Sequence, residues 1–136
     1  MTAAREPLLR DRLGIEVVSA SPDRVTARMP VWGNRQPAGL LAGGASCMLA
    51  ESTASLAASL HAAELGGTAV GLDLNATHHR AVRDGQVTAV ATALRRGRRV
   101  ATYEVVITDE AGERVCTARV TCLIASGAEG APNGRP

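Results

Sequence analysis

One carboxylate in this chain stands where helix-forming apolar residues surround it. Between Gly44 and Leu60 the only charged side chain is Glu51, set among Ala, Leu, Met and small polar residues. It lies two turns into the stretch, too deep for the positive end of a helix dipole to explain it. Two readings are open: a solvent-facing position, or a general acid/base or nucleophile in a partly desolvated site. Ser55, four residues on, shares its face and could hold the carboxylate or a water, or bond back to its own preceding turn. Ahead of them stands Gly43-Gly44. Glycine lets a ligand approach the backbone, and the first N–H groups of a helix lack internal partners, so such a pair can stabilise negative charge developing on a carbonyl oxygen.

Other reactive groups are distributed differently. Gly44-Ala45-Ser46-Cys47-Met48 lacks the last glycine of a nucleophile elbow, and neither HExxH, nor a P-loop, nor GxGxxG occurs. His78 and His79 are adjacent, so a strand sends them to opposite faces and they do not readily chelate one metal. Arg95, Arg96, Arg98 and Arg99 flank Gly97 at an expected turn, either as a solvated charged hairpin or as guanidinium forks for phosphates. Cys47, Cys116 and Cys122 form no CxxC pair and no even disulfide framework, and read as small core residues in a reducing cytosol.

Composition narrows the partners. The 136 residues suit one domain, and 46% hydrophobic with 21% charged residues is ordinary globular usage. The aromatics are Trp32 and Tyr103 alone, which argues against single-stranded nucleic acid, where bases stack on rings. Every basic side chain is Arg, and the net charge of +2 is too small for general attraction to nucleic acid or membranes. With no apolar run long enough to span a bilayer and no signal-peptide pattern, the expectation is a soluble cytoplasmic protein.

These residues must be positioned by a few elements. A polar N-terminal segment, 1–12, includes a short helix expected over 7–13. Strands are expected over 14–21 and 25–31, around a Ser21-Pro22-Asp23 turn. The stretch 32–42 has Gly, Asn and Pro but no periodicity, and is a candidate functional loop. The strong helix is expected over 44–65, stopped by Gly66-Gly67 and largely buried, since its small apolar residues run nearly all the way round. Strands over 68–79, 86–94, 99–108 and 113–125, joined by short turns, make an antiparallel meander and hence an α+β domain over 13–125. The tail, 126–136, has nothing to bury and is expected to be disordered.

The words along these elements point further. Gln36-Pro37-Ala38-Gly39-Leu40-Leu41-Ala42-Gly43-Gly44-Ala45-Ser46, Leu49-Ala50-Glu51-Ser52 and Val70-Gly71-Leu72-Asp73-Leu74-Asn75-Ala76-Thr77-His78 resemble the hotdog acyl-CoA thioesterases of the 4-hydroxybenzoyl-CoA and phenylacetate-degradation type. The likeness extends over about 13–124, through Gly97-Arg98-Arg99 and Asp109-Glu110-Ala111-Gly112. It implies a hotdog fold, with an antiparallel sheet wrapped around one long central helix, in homodimers that assemble to homotetramers with active sites at the dimer interface. The implied reaction is hydrolysis of an acyl-CoA or acyl-carrier-protein thioester to free acid and thiol. In that picture the Gly43 N–H, with Gly44, polarises the thioester carbonyl. Gln36 orients that carbonyl, Glu51 of the other subunit is nucleophile or general base, and Ser55 and His78 line the site. CoA enters as substrate, and neither metal nor bound cofactor is implied. The departure is Ala42, where the matching motif commonly has histidine. It fits a natural variant compensated elsewhere, an inactivating substitution, or a protein that binds thioesters without hydrolysing them well. A non-catalytic acyl-CoA binding protein and a hotdog hydratase or dehydratase stand as the alternative functions.

Overall fold

The computed structural model describes residues 4–126, Ser126 by its backbone only. The elements run α1 (Leu9–Leu13), β1 (Glu16–Ala20), β2 (Arg24–Pro30), α2 (Gly43–Glu64), β3 (Gly67–His78), β4 (Gln86–Arg96), β5 (Val100–Thr108) and β6 (Arg114–Ser126). The six strands form one antiparallel sheet in the order β1-β2-β4-β5-β6-β3. α2 packs against β2, β3, β4, β5 and β6, giving the α+β hotdog arrangement.

Alternation decides which face of the sheet meets the helix. Along β2 the buried residues are Val25, Ala27 and Met29, along β4 Val87, Ala89 and Ala91, and along β5 Ala101, Tyr103, Val105 and Ile107. Their period of two turns one row of side chains inward on each strand. Small residues dominate this layer, so the helix sits close, and Tyr103 is its one large ring. That ring is fully buried and donates its hydroxyl to the Pro22 carbonyl at 2.8 Å.

Several expectations change. The first helix begins at Leu9, because the extended residues before it supply only its N-cap, Leu8. The β6 strand includes Ser126, the first residue of the expected tail, and the rest of that tail, 127–136, lies outside the described residues. Burial of α2 is one-sided, falling on 45/46, 49/50, 53/54, 57/58 and 61/62, while Gly44, Glu51, Ser59, Ala63 and Glu64 are exposed. A single sheet covers one stripe of a helix, even one that is apolar nearly all round.

The arginine segment also differs. β4 runs on to Arg96 past a bulge between Ala93 and Arg95, pairing Arg95 with Thr102 and Arg96 with Ala101. Arg95 and Arg96 are therefore strand residues, not turn residues, and their side chains leave on opposite faces. Gly97 makes the tight turn itself: a Cβ there would collide with the Val100 carbonyl oxygen.

Candidate active site

The loop before α2 is held from within. Asn34, buried although polar, donates through its side-chain amide to the carbonyls of Leu13 at 2.7 Å and Pro30 at 2.8 Å. The Ala42 N–H returns to the Asn34 carbonyl, the Leu41 N–H to Val82, and Arg35 and Leu41 form a bridge. Asn34 escaped the sequence reading, where it looked like one more loop residue. At the loop's start Trp32 is 78% exposed, with the Arg35 guanidinium 4.5 Å from its ring centre.

These bonds deliver Ala42 in extended geometry, φ −67 and ψ 134, as the N-cap of α2. Its methyl group offers no capping acceptor and packs against the core. The first backbone bonds to the loop come from the N–H groups of Ala45 and Ser46, both to the Ala42 carbonyl, so those of Gly43 and Gly44 have no partner among the described residues. Gly43 borders a cavity of about 400 Å³ whose lining also includes Gln36, Leu40, Ser46, His78 and Val115, whereas Gly44 is exposed outside it. His79, Arg80 and Ala81 form another part of its wall. The Gln36 side-chain oxygen accepts from the Ala38 N–H, which leaves its NH₂ as the donor for an incoming group.

β3 lies along the same side of α2. The His78 ring sits over the helix start, where a Cβ on Gly43 would stand 3.0 Å from its Nε2. Cys47, one turn on, is 3.9 Å from the same nitrogen. A turn further, Glu51 lays its carboxylate over Gly71, and a Cβ there would stand 2.8 Å from Oε1. Ser55 follows, against the Cys122 thiol. Gly43, Cys47, Glu51 and Ser55 thus form one stripe at four-residue spacing beside β3. A glycine in mid-strand is a sign of close approach, and Gly71 was the available clue to where Glu51 rests.

The single chain brings together Gln36, Gly43 and His78, and leaves Glu51 apart from them. Eight residues of helix separate Glu51 from Gly43, about 12 Å of axial rise. Glu51 is exposed and absent from the cavity wall. His79 leaves β3 the other way, its Nε2 2.8 Å from Thr117 Oγ1, and also borders a groove on the outer sheet face. Arg95, Arg98 and Arg99 surround a separate cavity of about 390 Å³ with Val100 and Thr102. Arg96 is not among them, being paired with Asp23 and Glu64.

Electrostatics rules the thiols out as ready nucleophiles. Burial raises the pKa of Cys47, and lifts that of Cys116 to about 11. Burial also raises Cys122, helped by the charge of Glu51 and opposed by a hydrogen bond with Ser55. At neutral pH all three are thiols, and a thiol is a poor nucleophile. Cys116 and Cys122 are buried core residues, whereas Cys47 is half-buried beside His78. Among the described residues no group of three or more His, Cys, Asp or Glu is placed to hold a metal, and no helix is long and apolar enough to cross a membrane.

Comparison with known proteins agrees with this architecture. The thioesterase superfamily profile matches residues 38–116, from the loop before α2 into β6. The proofreading thioesterase EntH of Cronobacter turicensis is 44% identical over 117 residues, covering 85% of each chain. The crystal structure of a thioesterase from Haemophilus influenzae is 41% identical, covers 90% of this chain and 85% of that one, and superposes with a TM-score of 0.83. A thioesterase variant from Pseudomonas aeruginosa is 40% identical over 85% of this chain and 84% of its own, with a TM-score of 0.80. By sequence and by fold, the chain belongs to the hotdog-fold thioesterase superfamily.

Proposed function

We propose that this chain hydrolyses acyl-CoA or acyl-carrier-protein thioesters to the free acid and the thiol. We assign it to the 4-hydroxybenzoyl-CoA and phenylacetate-degradation type, with an aryl or medium-length acyl group. The observation that carries the reading is the unused N–H of Gly43 at a cavity that Gln36 and His78 share, with the N–H of Gly44 unused next to it on the helix. A thioester carbonyl seated there meets backbone donors aligned with a helix dipole, which favour the negative charge of the tetrahedral intermediate. The Gln36 NH₂ orients the carbonyl, and His78 borders it.

The carboxylate comes from a second copy. Glu51 sits too far along α2 to serve the Gly43 of its own chain, and it faces out beside β3, the long edge strand with Val70 and Leu72 exposed. Such an edge favours pairing with another chain. A dimer built along β3 and the open face of α2 sets the Glu51 of one protomer against the loop of the other, as nucleophile or as base for the attacking water. Ser55 lines that side, pairs of dimers complete a homotetramer, and Arg95, Arg98 and Arg99 take the CoA phosphates. The second reading, a chain that binds thioesters without turning them over, is favoured by one observation, the methyl group of Ala42 at the N-cap.

Thiol release from benzoyl-, phenylacetyl-, short- and long-chain acyl-CoA tests this. Turnover is expected on aryl or medium-length acyl groups. Binding without thiol release would establish the second reading, and a change in double-bond absorbance without thiol would identify hydratase or dehydratase chemistry. Mixing Glu51→Ala with a Gln36→Ala, His78→Ala double variant tests the shared site: mixed dimers regain activity if loop and carboxylate come from different chains, and stay inactive if both come from one.

A further inference from the structure

A buried histidine that this reaction does not use sits at the far end of α2. His61 is 6% exposed. Its Nε2 lies 2.7 Å from the Gly97 carbonyl oxygen, and its Nδ1 accepts from the Arg96 Nε–H at 3.2 Å. Because a carbonyl only accepts and Arg96 only donates, the ring is neutral with its proton on Nε2. Arg96 is anchored in turn, Nη1 to Asp23 at 2.9 Å and Nη2 to Glu64 at 2.6 Å. Helix end, β1–β2 turn and β4–β5 turn thus meet at one imidazole and one guanidinium.

The other three arginines differ. Arg95, Arg98 and Arg99 are exposed and have no carboxylate partner among the described residues. Three unneutralised guanidinium groups around one cavity, beside a fourth that is fully paired, divide binding from support. The geometry points to His61 as a positioning residue for the nucleotide end of the substrate. By holding the Gly97 carbonyl and the Arg96 side chain, it sets the β4–β5 turn so that Arg95, Arg98 and Arg99 meet phosphates with their spacing fixed in advance. Fixing the donors beforehand lowers the ordering cost of binding. This inference rests on the reading that these arginines take the CoA phosphates.

The test compares one acyl group carried on CoA and on pantetheine, which lacks the nucleotide, for the unaltered chain and for His61→Leu, His61→Gln, His61→Asn and Arg98→Ala. His61→Leu is expected to raise KM for acyl-CoA about tenfold more than KM for the pantetheine thioester, with kcat on acyl-CoA little changed, the scale of a lost hydrogen bond near charged groups. His61→Gln restores much of the difference, since its amide can still donate to the Gly97 carbonyl. The shorter His61→Asn does not, and replaces His61→Leu as the loss variant if the latter fails to fold. If Arg98→Ala affects both substrates alike, the phosphate reading itself falls and this inference with it. If Arg98→Ala discriminates while the folded His61 variants do not, the reading stands and the positioning role is overturned.

Discussion

The two ends of α2 are treated in opposite ways. At the N-terminus, Ala42 leaves the first N–H groups unused, with Gly43 bordering a cavity. At the C-terminus, His61 and Glu64 are tied through Arg96 to two neighbouring turns, and the helix closes with the Leu65 and Gly66 N–H groups returning to Ala62 and Ala63. Helix ends normally satisfy their free groups with caps. An end left bare at the mouth of a cavity forgoes about 1 kcal/mol of capping and, in the proposed reaction, gains a place for charge to develop. The bonded end ties the helix to two neighbouring turns, while the other end stays free for the proposed chemistry.

The sharpest way to break that contrast is at Glu51, the carboxylate that the proposed reaction assigns to the open end. Glu51→Ala should lower turnover by about 10²-fold or more, the usual loss for a positioned acid or base. It should still fold, because the position is exposed and alanine is the better helix former. Undiminished hydrolysis of the best substrate would refute the assignment. Gly71→Ala approaches the same group indirectly. The new methyl meets only the flexible end of Glu51, so folding survives while the carboxylate shifts, and kcat should drop about tenfold or more with a melting temperature close to the parent's.

Filling the open end sharpens the contrast from the other side. Ala42→Asp supplies the missing acceptor and a negative charge, so stability should rise by about 1 kcal/mol. Thiol release should fall as the N–H groups are consumed. Ala42→His tests whether the site is disabled. If an imidazole is what it lacks, turnover rises by as much as about 10²-fold. A flat or reduced rate, with brisk hydrolysis by the parent, would show a site reorganised around the methyl, which already packs on the core.

The smallest effect concerns the core that supports both ends. Burial raises Tyr103 from the usual 10.0 to about 12, and Cys116 from 9.0 to about 11. A group whose folded pKa is raised stabilises the fold fully below its unfolded pKa and loses that contribution as pH climbs through the folded value. Thermal stability should therefore be level up to about pH 9 and decline between about pH 9 and 12. Tyr103→Phe should flatten part of that decline, at the expense of about 1 kcal/mol for the lost bond to Pro22. A melting temperature that is constant to pH 12 would contradict the burial assigned to these groups.

Much of the fold was legible because it depends on local periodicity. The alternating row on β5 and the long alanine-rich helix each fixed an element within a few residues. The division among the arginines was not legible, since the bulge that sends Arg95 and Arg96 to opposite faces depends on pairing with β5. Nor did the sequence pair Glu51 with Gly71, since that contact joins a helix to a strand. Periodicity is a property of one segment, whereas these placements are properties of two. Gln36, Gly43 and His78 were matched by their motif words, and Asn34, which fixes the loop carrying Gln36, belonged to none of those words.

The exposed ring of Trp32 gives the molecule an optical asymmetry. It is the sole tryptophan, it is wet in the folded state, and it stands at the start of the loop that leads to the cavity. Its emission will barely move when the chain unfolds, because water already surrounds it. The same emission will follow what happens to that loop, including displacement of the Arg35 guanidinium from its face. Tyr103, the only other ring able to emit, is sealed in the core and follows the fold instead. Two chromophores thus divide the protein's light between its working loop and its interior, and a titration with thioester can be read from the first without disturbing the second.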